Sequence, residues 1–182
     1  ASAQGDTINI DSCQDLNVPG TTYVLTTNLS GSEVTANCMN VTAENVTLDC
    51  KYDGTDHSII NSDLKYPIIY SNQNGTTIRN CILRASYDRE GKSNGNGRGI
   101  RISGNNALIE HNKVTYSWFG IYISGDDNII QNNVLENNAK AIHVGKDNNI
   151  IKNNLVRNNN TSVGWGLGVW SGVGNKFTDN KV

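Results

Sequence analysis

Residues 128–135 read Asn128-Ile129-Ile130-Gln131-Asn132-Asn133-Val134-Leu135, and residues 149–156 read Asn149-Ile150-Ile151-Lys152-Asn153-Asn154-Leu155-Val156, an offset of 21. The same frame lies 21 residues earlier, at Ala107-Leu108-Ile109-Glu110-His111-Asn112-Lys113-Val114. It also fits Thr76-Thr77-Ile78-Arg79-Asn80-Cys81-Ile82-Leu83 and ends in Asn175-Lys176-Phe177-Thr178-Asp179-Asn180-Lys181-Val182. Stacking the segments produces columns. One is Ile78, Ile109, Ile130, Ile151, Phe177, and another is Leu83, Val114, Leu135, Val156, Val182. Between them runs Cys81, Asn112, Asn133, Asn154, Asn180. Two apolar columns flanking an Asn column are the pattern of a coil that turns sharply between two strands.

A second strand recurs at the same offset: Gly99-Ile100-Arg101-Ile102, Gly120-Ile121-Tyr122-Ile123 and Ala141-Ile142-His143-Val144, with weaker members at Pro67-Ile68-Ile69-Tyr70 and Cys38-Met39-Asn40-Val41. Period-two alternation points Ile100, Ile102, Ile121, Ile123, Ile142 and Val144 inward, and Arg101, Tyr122 and His143 outward. A unit this short cannot bury a face alone, but stacked units can, each strand pairing with its equivalent about 4.8 Å away. Stacking places like on like, so Asn amides form hydrogen-bonded ladders. An unpaired buried amide would cost roughly 1–3 kcal/mol. A leucine-rich repeat needs a regular Leu frame that is too sparse here, and a β-sandwich does not explain the fixed offset.

On these residues the chain resembles the parallel β-helix repeat of the pectate-lyase-like superfamily, above all over residues 128–160. Residues 22–50, TYVLTTNLSGSEVTANCMNVTAENVTLDC, are similar to the first coils of many secreted β-helix proteins of archaea and bacteria. The resemblance covers nearly the whole chain. It implies an all-β, right-handed, single-stranded parallel β-helix of about six to seven coils in a single domain: residues 1–20 an N-terminal strand or cap region, residues 21–182 stacked coils. It implies little about function, since lyases, hydrolases, epimerases, adhesins and phage spikes share the superfamily.

The composition agrees. There are 29 Asn and 18 Gly against 2 Pro and 1 Met, and Asn tolerates the left-handed turn conformation. With 15 basic and 17 acidic residues the net charge is −2, and no basic stripe suited to nucleic acid is visible. Apolar runs are too short for a transmembrane helix. The first residue is Ala1, so a signal peptide is expected to have been removed. Six N-x-S/T sequons open at Asn28, Asn40, Asn45, Asn74, Asn159 and Asn160. Together with four cysteines they point to an oxidising, extracellular or cell-surface location. Cys13 and Cys38 lie roughly one coil apart, as do Cys50 and Cys81, so Cys13–Cys38 and Cys50–Cys81 bridges between neighbouring coils are expected. Three insertions break the regularity: a spacing of about 30 residues between the Val46 and Thr76 turns, the charged stretch at 85–98, and residues 158–166. Such loops are candidate partner contacts, those of a receptor-binding adhesin included.

Catalytic signatures are thin. A polysaccharide hydrolase needs clustered carboxylates. The one tempting pair, Asp126-Asp127, aligns with turn positions Lys146-Asp147 and Asn105-Asn106. The Gly-His and Arg-x-Lys segments of the superfamily's hydrolases and the epimerases' Asp-Pro-His are missing. By analogy with its lyases, Asp126, Asp127 and Asp147 could hold a weak Ca²⁺ site, with Arg101 on a neighbouring coil. His57, His111 and His143 lack metal-ligand spacing. The outward row Arg101, Tyr122, His143 is a candidate sugar-binding row, with Trp118, Trp165 and Trp170 as further platforms. No cofactor and no catalytic residue is expected. No capping helix follows Val182, so the last coil invites another copy of the chain. The expected function is a structural extracellular β-helix that stacks head to tail into filaments or a surface layer. The alternative is a lyase-like or carbohydrate-binding protein acting on an acidic polysaccharide.

Overall fold

The computed structural model describes residues 5–30, 37–61, 66–85, 97–157 and 166–182. Among these, every regular element is a β-strand, and the strands form a three-sided parallel β-helix. Sheet 1 has eight strands: Thr7–Ile10, Thr22–Leu25, Thr47–Asp49, Thr77–Arg79, Leu108–Glu110, Ile129–Gln131, Ile150–Lys152 and Lys176–Thr178. Sheet 2 has seven: Gln14–Leu16, Met39–Val41, Ile69–Ser71, Arg98–Ile102, Phe119–Ile123, Lys140–Val144 and Leu167–Val169. Sheet 3 has six: Leu29–Ser30, Ser58–Ile60, Ile82–Arg84, Lys113–Thr115, Val134–Glu136 and Leu155–Arg157. Each coil visits sheets 2, 1 and 3 in turn, giving six complete coils, a leading strand in sheet 1 and a final partial coil.

The register is the one the columns require. Ile78 pairs with Ile109, Ile109 with Ile130, Ile130 with Ile151 and Ile151 with Phe177. Leu83, Val114, Leu135 and Val156 stack likewise in sheet 3. All of these are buried except Phe177, on the last rung, which is 37% exposed. The core is therefore a set of apolar columns along the axis.

Asparagine doublets build the corners. In Asn132-Asn133, Asn137-Asn138, Asn148-Asn149 and Asn153-Asn154, the first residue has positive φ, 56° at Asn137 and 55° at the other three. The second turns its amide inward. Asn133 Oδ1 accepts the backbone N–H of Asn112 at 3.0 Å, and Asn133 donates to Ile109 O at 2.9 Å and to Asn154 Oδ1 at 3.0 Å. The Asn112, Asn133, Asn154, Asn180 ladder is thus continuous. A parallel series at the next corner has Asn128, Asn149 and Asn175 accepting from Ala107, Asn128 and Asn149. Both series accept from the preceding coil. The outer turn series runs the other way, with Asn74, Asn105, Asp126 and Asp147 accepting from Asn105, Asp126, Asp147 and Val173 of the following coil.

The N-terminal half is tied covalently. Cys13–Cys38 and Cys50–Cys81 are disulfides, with Cα–Cα distances of 4.5 and 4.8 Å. Cys81 occupies the ladder column, and its N–H still bonds Asn112 Oδ1 at 3.0 Å. The long spacing between the Val46 and Thr76 turns contains an antiparallel hairpin, Lys51–Tyr52 with Thr55–Asp56. Asp53 and Gly54, both at positive φ, make its two-residue turn, as this hairpin type demands. On sheet 3, Glu136 sits between Lys113 of the coil before, at 3.1 Å, and Arg157 of the coil after. Burial pushes its carboxyl up, but hydrogen bonds to these two cations leave it below the usual carboxylate range.

The two residues of a doublet should respond differently to substitution. Asn133→Ala orphans buried groups and is expected to cost about 2–5 kcal/mol. Asn132→Ala meets only the left-handed backbone penalty, about 1–2 kcal/mol, and Asn132→Gly is close to neutral. Urea-unfolding midpoints check the order, and equal effects at the two positions would contradict the division of labour.

Candidate functional site

The outer face of sheet 2 gathers the aromatic and cationic side chains. Its middle strands begin Arg98-Gly99-Ile100, Phe119-Gly120-Ile121 and Lys140-Ala141-Ile142. A Cβ on Gly99 would lie 2.4 Å from Val114 Cγ1, and one on Gly120 2.8 Å from Leu135 Cδ2. These small residues face the core beside the following Ile, which interrupts the alternation. Two outward rows result. One is Arg98, Phe119, Lys140. The other is Asp15, Asn40, Tyr70, Arg101, Tyr122, His143, Gly168.

The rows interlock through ring contacts. Tyr122 and His143 stack with centroids 5.1 Å apart and planes 10° apart. Phe119 meets both edge-on, at 5.2 and 5.1 Å. Trp170 leans on His143 at 5.9 Å, and Trp118 meets Phe119 edge-on at 6.4 Å. The Arg98 guanidinium lies 4.9 Å from the Tyr122 ring centre and 5.5 Å from that of Phe119. Arg101 lies 5.4 Å from Tyr70 and 5.9 Å from Tyr122. Lys140 Nζ is 5.0 Å from Phe119 and 6.0 Å from Trp118. Such contacts contribute about 0.5–2 kcal/mol each.

Three cationic residues, Arg98, Arg101 and Lys140, stand on these rows. Burial and the neighbouring Arg101 lower the Arg98 pKa, with Tyr122 acting the other way. Burial, then the charges of Lys140 and Arg98, hold the His143 imidazole below the usual histidine range. The Nε atoms of Arg98 and Arg101 are buried without an acceptor. Among the described residues, neither guanidinium is paired with a carboxylate.

The expected row Arg101, Tyr122, His143 is thus brought together, with one correction. His143 occupies an outward position but is only 6% exposed, because the neighbouring rings cover it; it serves as a spacer within the stack rather than a free hydrogen-bonding group. Arg98, Phe119, Lys140 and Tyr70 were missed, although the first three lie 21 residues apart like the rest. Trp165 lies outside the described residues, as do Asn159 and Asn160.

Asp126 Oδ1 and Asp147 Oδ1 accept backbone N–H groups at 2.9 Å, and Asp127 is an exposed corner residue with φ 58°. Of the other sequons, Asn28 Oδ1 accepts from Ser58 N at 2.8 Å, Asn40 Nδ2 donates to Asp15 at 2.9 Å, and Asn74 Oδ1 accepts from Asn105 N at 2.9 Å. Asn45 is an exposed corner with φ 58°.

A family profile described as "Periplasmic copper-binding protein (NosD)" matches residues 2–182. The chain belongs to the NosD family. No curated protein and no solved structure gives a significant match. A periplasmic family and two disulfides are in keeping with an envelope or extracellular location for this NosD-family chain. No helix among the described residues is long and apolar enough to cross a membrane.

Copper in proteins takes thiolate, thioether and imidazole donors, and the residues present do not fit a centre of that kind. All four cysteines are in disulfides, and the one methionine, Met39, is fully buried in the core. The three imidazoles are dispersed: His57 precedes the sheet 3 strand Ser58–Ile60, His111 is a corner residue, and His143 lies on sheet 2. Among the described residues, no three His, Cys, Asp or Glu side chains converge as a metal site, and the remaining stretches contain no His, Cys or Met.

The depressed His143 pKa has a consequence for stability. The folded protein resists a proton that the unfolded chain accepts near pH 6.5. The contribution of the neutral imidazole is therefore present above that pH and lost on acidification. The fall in melting temperature between pH 7.5 and 5 is expected to be smaller in His143→Phe than in the native chain; parallel curves would contradict the assignment.

Proposed function

We propose that this NosD-family chain is an envelope or extracellular β-helix module that binds an acidic glycan on the outer face of sheet 2. The observation that carries the reading is the pair of guanidinium groups, Arg98 and Arg101, held against aromatic rings and, among the described residues, without a carboxylate partner. The exposed Trp170 ring can take the apolar face of a pyranose, and a fixed guanidinium fork matches a carboxylate or sulfate. Kinship with the pectate-lyase-like superfamily belongs to this reading, which is one of binding rather than catalysis: the acidic pair Asp126-Asp127 sits in a corner turn, with Asp126 bonded to the next coil. N-glycosylation is part of it as well. Asn28, Asn45 and Asn74 are exposed, while the Asn40 amide nitrogen is engaged by Asp15.

An array of acidic and neutral glycans tests the reading, followed by calorimetry on the best ligand. Arg98→Gln combined with Arg101→Gln is expected to weaken binding at least tenfold, each charge-assisted bond contributing about 1.5–3 kcal/mol. Binding should weaken as salt is raised. Failure to bind any acidic glycan, or indifference to the double substitution, overturns the reading.

A second reading is end-to-end stacking of copies. It draws on the outermost described rungs, where Ile8 at one end and Val169 and Phe177 at the other are exposed apolar residues. A following stretch of the same polypeptide would satisfy that edge equally. Sedimentation over a hundredfold range of concentration decides: a single monomeric species throughout overturns stacking.

A further inference from the structure

We infer that copies of this chain join through sheet 1, the leading strand Thr7–Ile10 of one copy pairing in parallel with the last strand, Lys176–Thr178, of another. This rests on the stacking reading and names its interface. The two strands are the edges of the eight-stranded sheet. The leading strand stands one level ahead of the first strands of sheets 2 and 3, so it is the foremost strand among the described residues. An edge strand presents a row of N–H and C=O groups that a further strand can pair. Continuing the register of the sheet sets Thr7 beside Lys176, Ile8 beside Phe177 and Asn9 beside Thr178. Ile8 and Phe177 stand in the core columns of their own copies, next to Tyr23 and Ile151, and each is 37% exposed. Across the seam they cover one another.

The residue before the leading strand decides the occupant. By register, Asp6 stands in the corner column that ends in Asn128, Asn149 and Asn175. Its carbonyl accepts from Thr22 N at 2.9 Å, just as Asn149 O accepts from Lys176 N at 2.9 Å. In that column each side-chain oxygen accepts the backbone N–H of the coil before: Asn149 Oδ1 from Asn128, and Asn175 Oδ1 from Asn149. A second copy laid on the last rung brings the Asp6 carboxylate to the N–H of Asn175. The ladder then crosses the seam with a charge-assisted bond. The charges agree. Residues 5–16 carry Asp6, Asp11 and Asp15 and no Lys or Arg, whereas residues 166–182 carry Lys176 and Lys181 against Asp179. Apolar column, ladder acceptor and charge all match between the two ends of one chain, a fit that an unrelated strand would meet only by chance. The contact joins unlike surfaces, so it does not close, and each added copy presents a fresh edge.

Cysteine cross-linking reads the register. Asn9→Cys and Thr178→Cys, made in separate chains and mixed in a thiol–disulfide buffer, place their thiols on directly paired positions. They are expected to form a linked dimer about tenfold faster than Thr7→Cys mixed with Thr178→Cys, since a bridge needs Cα atoms within about 7 Å. Asp6→Lys is expected to weaken association about tenfold in sedimentation, the effect of losing one charge-assisted bond. Asp6→Asn, which supplies the ladder amide, is expected to retain it. Melting curves check that each variant folds. In a chain that sedimentation shows to associate, cross-linking no faster in register than out of it overturns the seam and leaves stacking standing. So does association indifferent to a folded Asp6→Lys. A native chain that stays monomeric throughout overturns both. If Asp6→Lys does not fold, the cross-linking comparison decides alone.

Discussion

The hydrogen bond from each strand to its equivalent one coil away is the constraint on which this structure rests. It fixes the register, and the register forces like onto like. Isoleucine over isoleucine makes the core. Asparagine over asparagine makes the ladders, which is why a chain can bury Asn112, Asn133 and Asn154 without leaving their amides unpaired. The same register sets the outer side chains into straight rows. Core, corners and the aromatic–cationic face are three results of one pairing rule.

The geometry of that face is inherited from the backbone. Arg98 and Arg101 are held by rings on the neighbouring rungs, and those rings are held by each other and by His143. Little side-chain freedom remains there. The family description speaks of copper, whereas the soft donors of this chain are buried, oxidised or dispersed.

The repeat was legible because its period is exact over residues 107–156, and the Asn column and both disulfides followed from coil spacing. Each corner doublet combines a left-handed residue with an inward ladder residue, and the structure separates these roles where the sequence shows only Asn-Asn. The row Arg98, Phe119, Lys140 was hidden for a physical reason. Strict alternation back from Ile100 and Ile121 would turn Arg98 and Phe119 inward. Gly99 and Gly120 take up an additional core-facing position and reverse that. The cover over His143 escaped for another reason: alternation reports the direction of a side chain and not what lies across it, and Trp170 comes from a partial coil with poor periodicity.

The corner ladders carry a consequence for how such a chain can change in length. Each ladder asparagine oxygen accepts a backbone N–H of the adjacent winding, and the core columns present the same apolar outline at each level. A duplicated 21-residue segment would therefore find its donors, acceptors and packing partners already in place above and below. Growth or shrinkage by whole windings is a small step for this architecture, whereas gain or loss of a residue within a strand would shift the columns there; extra length is taken up between strands, as by the Lys51–Tyr52 and Thr55–Asp56 hairpin.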